Sequence, residues 1–227
     1  MPLTAPTFTL TASNTGVIRL VVTNPSTAPD LNQVWRSTAS ENSGQPIEIS
    51  SSLKVNGNFT DYNIASGKSY VYFIRAISGS TSLDSVTAQG TITLSRGILH
   101  AASKSYGSTN KLPSIPALPV WDIEPHNRPF NRALTEYLTT NQQNKPATGI
   151  SVIEEAAAVF TARVRLQEQF DTRTLKSLYE SGSYLCYRDP LGNKIFGTLA
   201  NYSEQYAGTY TDVSIVLNRS DYTESVV

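Results

Sequence analysis

Thiol chemistry is nearly absent from this chain. Cys186 is the one cysteine, so no intrachain disulfide can form, and the fold either matures in a reducing compartment or needs no staple. Charge is also scarce. Charged residues make up 16% of the 227, against roughly 25% in ordinary soluble domains. The 18 Lys and Arg residues balance 18 Asp and Glu residues, so net charge is zero. Without a basic excess to neutralise phosphates, a dedicated nucleic-acid binder is not expected. No stretch reaches the roughly 18 consecutive apolar residues of a membrane-spanning helix, so no membrane insertion is expected. Met1 to Asn14 has neither a basic start nor a continuous apolar run, and so does not read as a secretion signal.

Residues that carry chemistry are thinly spread. His100, His126 and Cys186 are the available nitrogen and sulfur ligands, and no two share a short metal-binding motif. No Gly-x-Ser-x-Gly elbow occurs, and no Gly-rich phosphate loop leads into Lys and Ser or Thr. Glu154 and Glu155 are adjacent, so on a strand they would face opposite ways. Pairing of Glu154 with Glu168 or Asp171 in a glycosidase arrangement stays open, because sequence does not fix their separation. Cys186 on a strand reads as a small buried hydrophobe. The expectation is a protein that is not an enzyme and carries no cofactor or metal.

Strand patterns are what the chain does contain. Phe8 and Leu10 alternate with Thr, and Ile18, Leu20 and Val22 alternate with their neighbours. Further strands are expected at Gln33 to Ser37, at Ile47 to Ile49, from Phe59 to Asn63, over Tyr70 to Ile77 and within Val86 to Leu94. Short strands at this spacing, with turn residues between them, indicate a β-sandwich over residues 1 to 95. The run Gly67-Lys68-Ser69-Tyr70-Val71-Tyr72-Phe73-Ile74-Arg75-Ala76 resembles the penultimate strand of a fibronectin type III domain, and Val34-Trp35-Arg36-Ser37 resembles its third strand. The resemblance implies that Tyr70 makes a tyrosine corner, its hydroxyl bonding back to the chain before the strand. Val22 stands where that family usually has its core Trp.

Residues 96 to 125 are punctuated by Gly97, Gly107, Pro113, Pro116, Pro119 and Pro125. Each proline fixes its own φ and pushes its predecessor out of the helical region, so Pro113 to Pro119 should be extended. The segment reads either as an interdomain linker or as an arm lying on a neighbouring subunit. Ile115, Leu118, Val120 and Trp121 are the candidate assembly contacts, because an exposed linker seldom needs so many apolar groups.

A second β-rich domain is expected over residues 126 to 227, as an antiparallel barrel or sandwich with one short helix. Phe130, Leu134, Tyr137 and Leu138 fall at helical spacing behind Pro129, which predicts a helix there. Gly149 to Ile153 and Val159 to Leu166 read as strands. Asp171 to Ser181 is the clearest helix: Asp171 or Thr172 can cap it, Leu175, Leu178 and Tyr179 share a face, and Gly182 can end it. Tyr184 to Arg188 and Lys194 to Leu199 form a hairpin around Asp189-Pro190-Leu191-Gly192. Asp suits the first position of the turn, Pro the second, and Gly192 supplies φ > 0. Val213, Ile215 and Leu217 mark a last strand.

The block Leu175-Lys176-Ser177-Leu178-Tyr179, Gly182, Cys186-Tyr187-Arg188-Asp189-Pro190-Leu191-Gly192, Ile195-Phe196-Gly197-Thr198-Leu199 and Val213-Ser214-Ile215 resembles the C-terminal module of minor tail and tail-tip proteins of long-tailed bacteriophages. Arg188, Asp189, Pro190, Gly192, Phe196 and Gly197 carry the match, and Asp221-Tyr222-Thr223-Glu224 is similar to the family's acidic tail. The resemblance implies a structural virion component of a tail tip or baseplate, assembled in the host cytoplasm with other phage tail proteins. A hollow tail also implies a homo-oligomeric ring of about three or six copies. The alternative is a receptor- or carbohydrate-binding module for a host-surface glycan. Tyr202, Tyr206 and Tyr210 could serve as its platform, although β-propensity alone accounts for strand tyrosines.

Overall fold

The computed structural model describes residues 2–13, 15–25, 29–39, 42–95, 97–102, 118–119, 131–140, 146–165, 173, 176–180, 182, 184–206, 210–219 and 222–225. These residues are mainly β, in antiparallel sheets, with one short α-helix among them. The chain forms two compact units. The first comprises Met1–Val120, Tyr184–Phe196 and Asp221–Val227, and the second Trp121–Ser183 and Gly197–Ser220. The first unit therefore draws on sequence well beyond residue 95.

A β-sandwich fills most of the first unit. One sheet has the order β1 (Thr7–Ser13), β2 (Val17–Thr23), β5 (Asn58–Asp61). The other has the order β4 (Ile47–Leu53), β3 (Leu31–Ser37), β6 (Ser69–Ser78), β7 (Thr81–Asp84), and β8 (Ala88–Thr91) also pairs with β6. Strand alternation produces the core directly. Ile18, Leu20 and Val22 of β2 are buried together with Val34, Tyr70, Tyr72 and Ile74 from the opposing sheet, while Arg19 and Val21 face outward. Each such aliphatic side chain, once buried, contributes roughly 1.5–3 kcal/mol. The Tyr70 hydroxyl accepts a hydrogen bond from the Ala65 N–H at 2.8 Å, tying the start of β6 to the chain just before it.

The same unit holds a second antiparallel group, in which β9 (Ile98–Ala101) pairs with β10 (Leu118–Pro119) and with β13 (Leu185–Arg188). All four residues of β13 are buried. The strand that follows, β14 (Lys194–Tyr206), starts in the first unit and runs on into the second.

In the second unit the order is β14, β15 (Tyr210–Arg219), β12 (Pro146–Arg165), β11 (Asn131–Thr140). Over residues 131–138 the expected helix is replaced by β11, in which Leu134 pairs with Val152 and Leu138 with Thr148, while Phe130 lies outside the described residues. Thr135, Tyr137, Thr139 and Thr140 supply the β-favouring character of this segment. Helical spacing among four apolar residues was the weaker signal once a pairing strand was at hand. The strands expected at Gly149 to Ile153 and from Val159 belong to one strand, the 20-residue β12. Residues 173 and 176–180 are helical (α1). Leu178 of α1 is buried, and Gly182 follows with φ 60°, its N–H donating to the Tyr179 carbonyl at 3.2 Å. Asp171 and Thr172, the expected caps, lie outside the described residues. Val213, Ile215 and Leu217 of β15 are buried and Ser214 is exposed, which is the alternation read from sequence.

Candidate functional site

The turn between β13 and β14 is an internally bonded unit. Asp189 Oδ1 accepts from the N–H groups of Leu191 (2.9 Å) and Asn193 (3.0 Å), and Asn193 Nδ2 donates to both carboxylate oxygens at 2.9 Å. Gly192 has φ 83°, in the region that disfavours side chains, and its N–H donates to the Asp189 carbonyl at 3.2 Å. Pro190 is exposed and Asp189 buried. Three donors of the loop, the Leu191 and Asn193 N–H groups and Asn193 Nδ2, thus converge on the carboxylate and shape the turn.

Arg188 leads from this turn into the first unit's interior. Its side chain is wholly buried, and Nη1 donates to the carbonyls of Gly16 and of Ile64, the latter at 3.0 Å. Those carbonyls belong to the β1–β2 turn and to the segment after β5. Burial lowers the Arg188 pKa, and the neighbouring Cys186, Asp61 and Tyr70 offset this only in part. Among the described residues Nε and Nη2 of Arg188 have no hydrogen-bond partner.

A buried ionic cluster lies in the same unit. Arg36 on β3 faces the core: Nη1 contacts Asp61 Oδ2 at 2.8 Å and donates to the Asn63 carbonyl at 3.2 Å, and Nη2 lies 2.8 Å from Glu224 Oε2. Its guanidinium also sits 5.2 Å from the Tyr70 ring centroid. Tyr72 donates its hydroxyl to Asp61 Oδ2 at 2.9 Å. Lys194 Nζ reaches the Asn63 carbonyl at 3.3 Å and the same Glu224 oxygen at 2.8 Å. Burial opposes the charge on Arg36, but Asp61 and Glu224 outweigh it and hold its pKa well above the usual value. Burial pushes the Asp61 carboxyl up, yet Arg36 and the bonds from Asn63 and Tyr72 bring it below the ordinary range. Burial and then Asp61 push the Tyr72 hydroxyl well above its usual value.

Residues 222–225 close the cluster. Tyr222 stacks on Phe196 with ring centroids 4.6 Å apart and meets Tyr184 at 5.6 Å, while Glu224 reaches the two cations just described. Arg36, Arg188 and Lys194 are thus held with Asp61, Asp189 and Glu224 in one unit. The chemistry this arrangement offers is cross-linking of chain segments distant in sequence.

Two groups discounted from sequence meet in space. His100 on β9 stands opposite Cys186 on β13. Both are buried, and burial pushes the thiol up to about 12, so it stays protonated and lacks the character of a nucleophile. Among the described residues no group of three or more His, Cys, Asp or Glu is placed to hold a metal ion.

Of the residues singled out in the sequence, Tyr70 is brought near Arg36, and Asp189, Pro190 and Gly192 form the turn that presents Arg188. Leu118 lies in β10 opposite Leu99. Ile115, Val120 and Trp121 lie outside the described residues. Arg36, Asp61, Tyr72 and Lys194 were not singled out. Their signal was parity: Arg36 shares a strand face with Val34 and Asn32, and charge on a core-facing row needs a partner. No family model, no curated protein and no solved structure matches the chain.

Proposed function

We propose that the chain is a structural virion component of a bacteriophage tail tip or baseplate and works by oligomeric protein–protein assembly. The observation that carries this reading is the order helix, Arg-Asp-Pro-x-Gly hairpin, Phe-Gly arm and acidic segment, similar to that of minor tail proteins. What supports it further is the use these residues find here. Arg188, Asp189, Gly192, Phe196 and Glu224 all serve internal bracing. A motif spent on bracing suits a part that bears mechanical load. The test is incorporation: the labelled protein, added to an assembly reaction with the tail-tube and tape-measure proteins of its own phage, should enter tail particles. Failure to enter any tail intermediate contradicts the proposal.

A second reading rests on a separate observation in the second unit. Tyr179 and Tyr202 stack with centroids 5.8 Å apart, Tyr202 donates its hydroxyl to Glu204 Oε1, and Tyr206 on the same face of β14 is 69% exposed. Aromatic faces beside a carboxylate suit a polysaccharide. A glycan array decides this reading: retention on a bacterial surface glycan, lost in Tyr206→Ala, supports it, and an array without signal removes it.

A further inference from the structure

We infer that Arg36, Tyr184, Lys194 and Phe196 form a two-anchor peptide-binding site, that residues 222–224 are its ligand, and that this ligand exchanges between copies of the chain. Tyr222 and Glu224 are half-buried and Thr223 between them is exposed, the alternation of an extended peptide laid on a surface. The first anchor is aromatic: Tyr222 against Phe196 and Tyr184. The second is ionic: one oxygen of Glu224 lies 2.8 Å from Arg36 Nη2 and 2.8 Å from Lys194 Nζ.

The receiving side does not depend on its ligand for alignment. Arg36 is also held by Asp61 and the Asn63 carbonyl, and Lys194 by that same carbonyl. When the segment leaves, two aligned cations lose a shared carboxylate, and the site then selects an acidic peptide with an aromatic residue two positions earlier. A second copy offers that pair at the same spacing. The chain's own segment competes with it only through effective concentration, roughly millimolar for a short tether. Copies packed in a particle reach comparable local concentrations, so exchange links neighbours head to tail. The exchange rests on the assembly reading; the site does not.

Two full-length variants test it, Glu224→Lys and Lys194→Glu. Each places like charges together in its own chain. Mixed, they can form one native and one reversed pair across copies, so native mass spectrometry should show a complex holding both chains, at least about tenfold more abundant than either self-complex. A peptide of residues 218–227 should bind full-length Glu224→Gln, and the same peptide carrying Glu224→Lys should bind about tenfold more weakly or less. Peptide binding without a mixed complex overturns the exchange, because the ligand is then confined to its own chain. Absence of both signals overturns the site itself. A wild type that never self-associates, with the peptide still bound by Glu224→Gln, counts against the assembly reading and leaves the site standing.

Discussion

On β3 the hydropathic expectation is reversed at two adjacent residues. Arg36 points into the core at 1% exposure, while Trp35 sits on the outer face. Trp35 has partners there: it stacks on Phe73 at 5.7 Å, carries the Arg75 guanidinium 4.8 Å from its ring, and donates Nε1–H to Gln33 at 3.2 Å. Arg36 faces inward because Asp61 and Glu224 await it. Removing one partner of a buried ion pair leaves an uncompensated charge, so Arg36→Ala should cost about 3–5 kcal/mol, read from urea unfolding. A loss near zero would mean that the cluster is open to water.

The same cluster fixes how stability depends on pH. The Asp61 carboxyl is held below its ordinary value in the folded chain. Its contribution is therefore full above the unfolded pKa of about 4 and is lost as pH falls through the lower folded value. The Tyr72 hydroxyl is raised, so its contribution is full below about pH 10 and is lost as pH rises beyond that. Urea midpoints should fall at both ends of the range. Asp61→Asn should lower the plateau and flatten the acid limb. An acid limb that runs parallel to wild type in Asp61→Asn contradicts the assignment.

Elements were legible wherever local chemistry decides. The alternation in β2 and β6, the helix residues 176–180 and the Asp-Pro-x-Gly turn all follow from period and turn preference. Phe130, Leu134, Tyr137 and Leu138 at helical spacing fit two periods, and for β11 pairing with β12 decides between them. β7 escaped notice because all four of its residues are exposed, leaving no hydrophobic row to read. Two glycines carry element-scale consequences. A Cβ at Gly192 would meet the Ser66 carbonyl at 3.0 Å in addition to the strain of its positive φ. Gly192→Val should therefore destabilise the chain by roughly 1–3 kcal/mol, measured by thermal or urea unfolding; a change within error would mean that the turn relaxes freely. At Gly197 a Cβ would overlap the Asn218 carbonyl, so Gly197→Ala should open the β14–β15 ladder and speed amide exchange at Leu199 and Leu217.

For the whole molecule, the sequence suggested a sandwich that ends near residue 95, whereas the compact first unit also includes Tyr184–Phe196 and Asp221–Val227. The candidate site was hidden for the same reason: Arg36 and Glu224 are far apart along the chain, and no local pattern couples them. A fragment of residues 1–102 lacks the bonds of Arg188 to Gly16 and Ile64, of Lys194 to Asn63 and of Glu224 to Arg36. It should melt well below the intact chain, by roughly 10 °C or more if several kcal/mol are lost. An equal melting temperature would show that the sandwich is self-sufficient.

Assembly is the central claim, and mass in solution tests it most directly. On the proposed tail-assembly role, light scattering across a concentration series, alone and with candidate phage tail proteins, should give complexes at integral multiples of 24.7 kDa, closing at about three or six copies or joining a ring with partners. A species that stays at 24.7 kDa under every condition, binds no tail protein and binds a glycan tightly contradicts the account in favour of the receptor-binding reading.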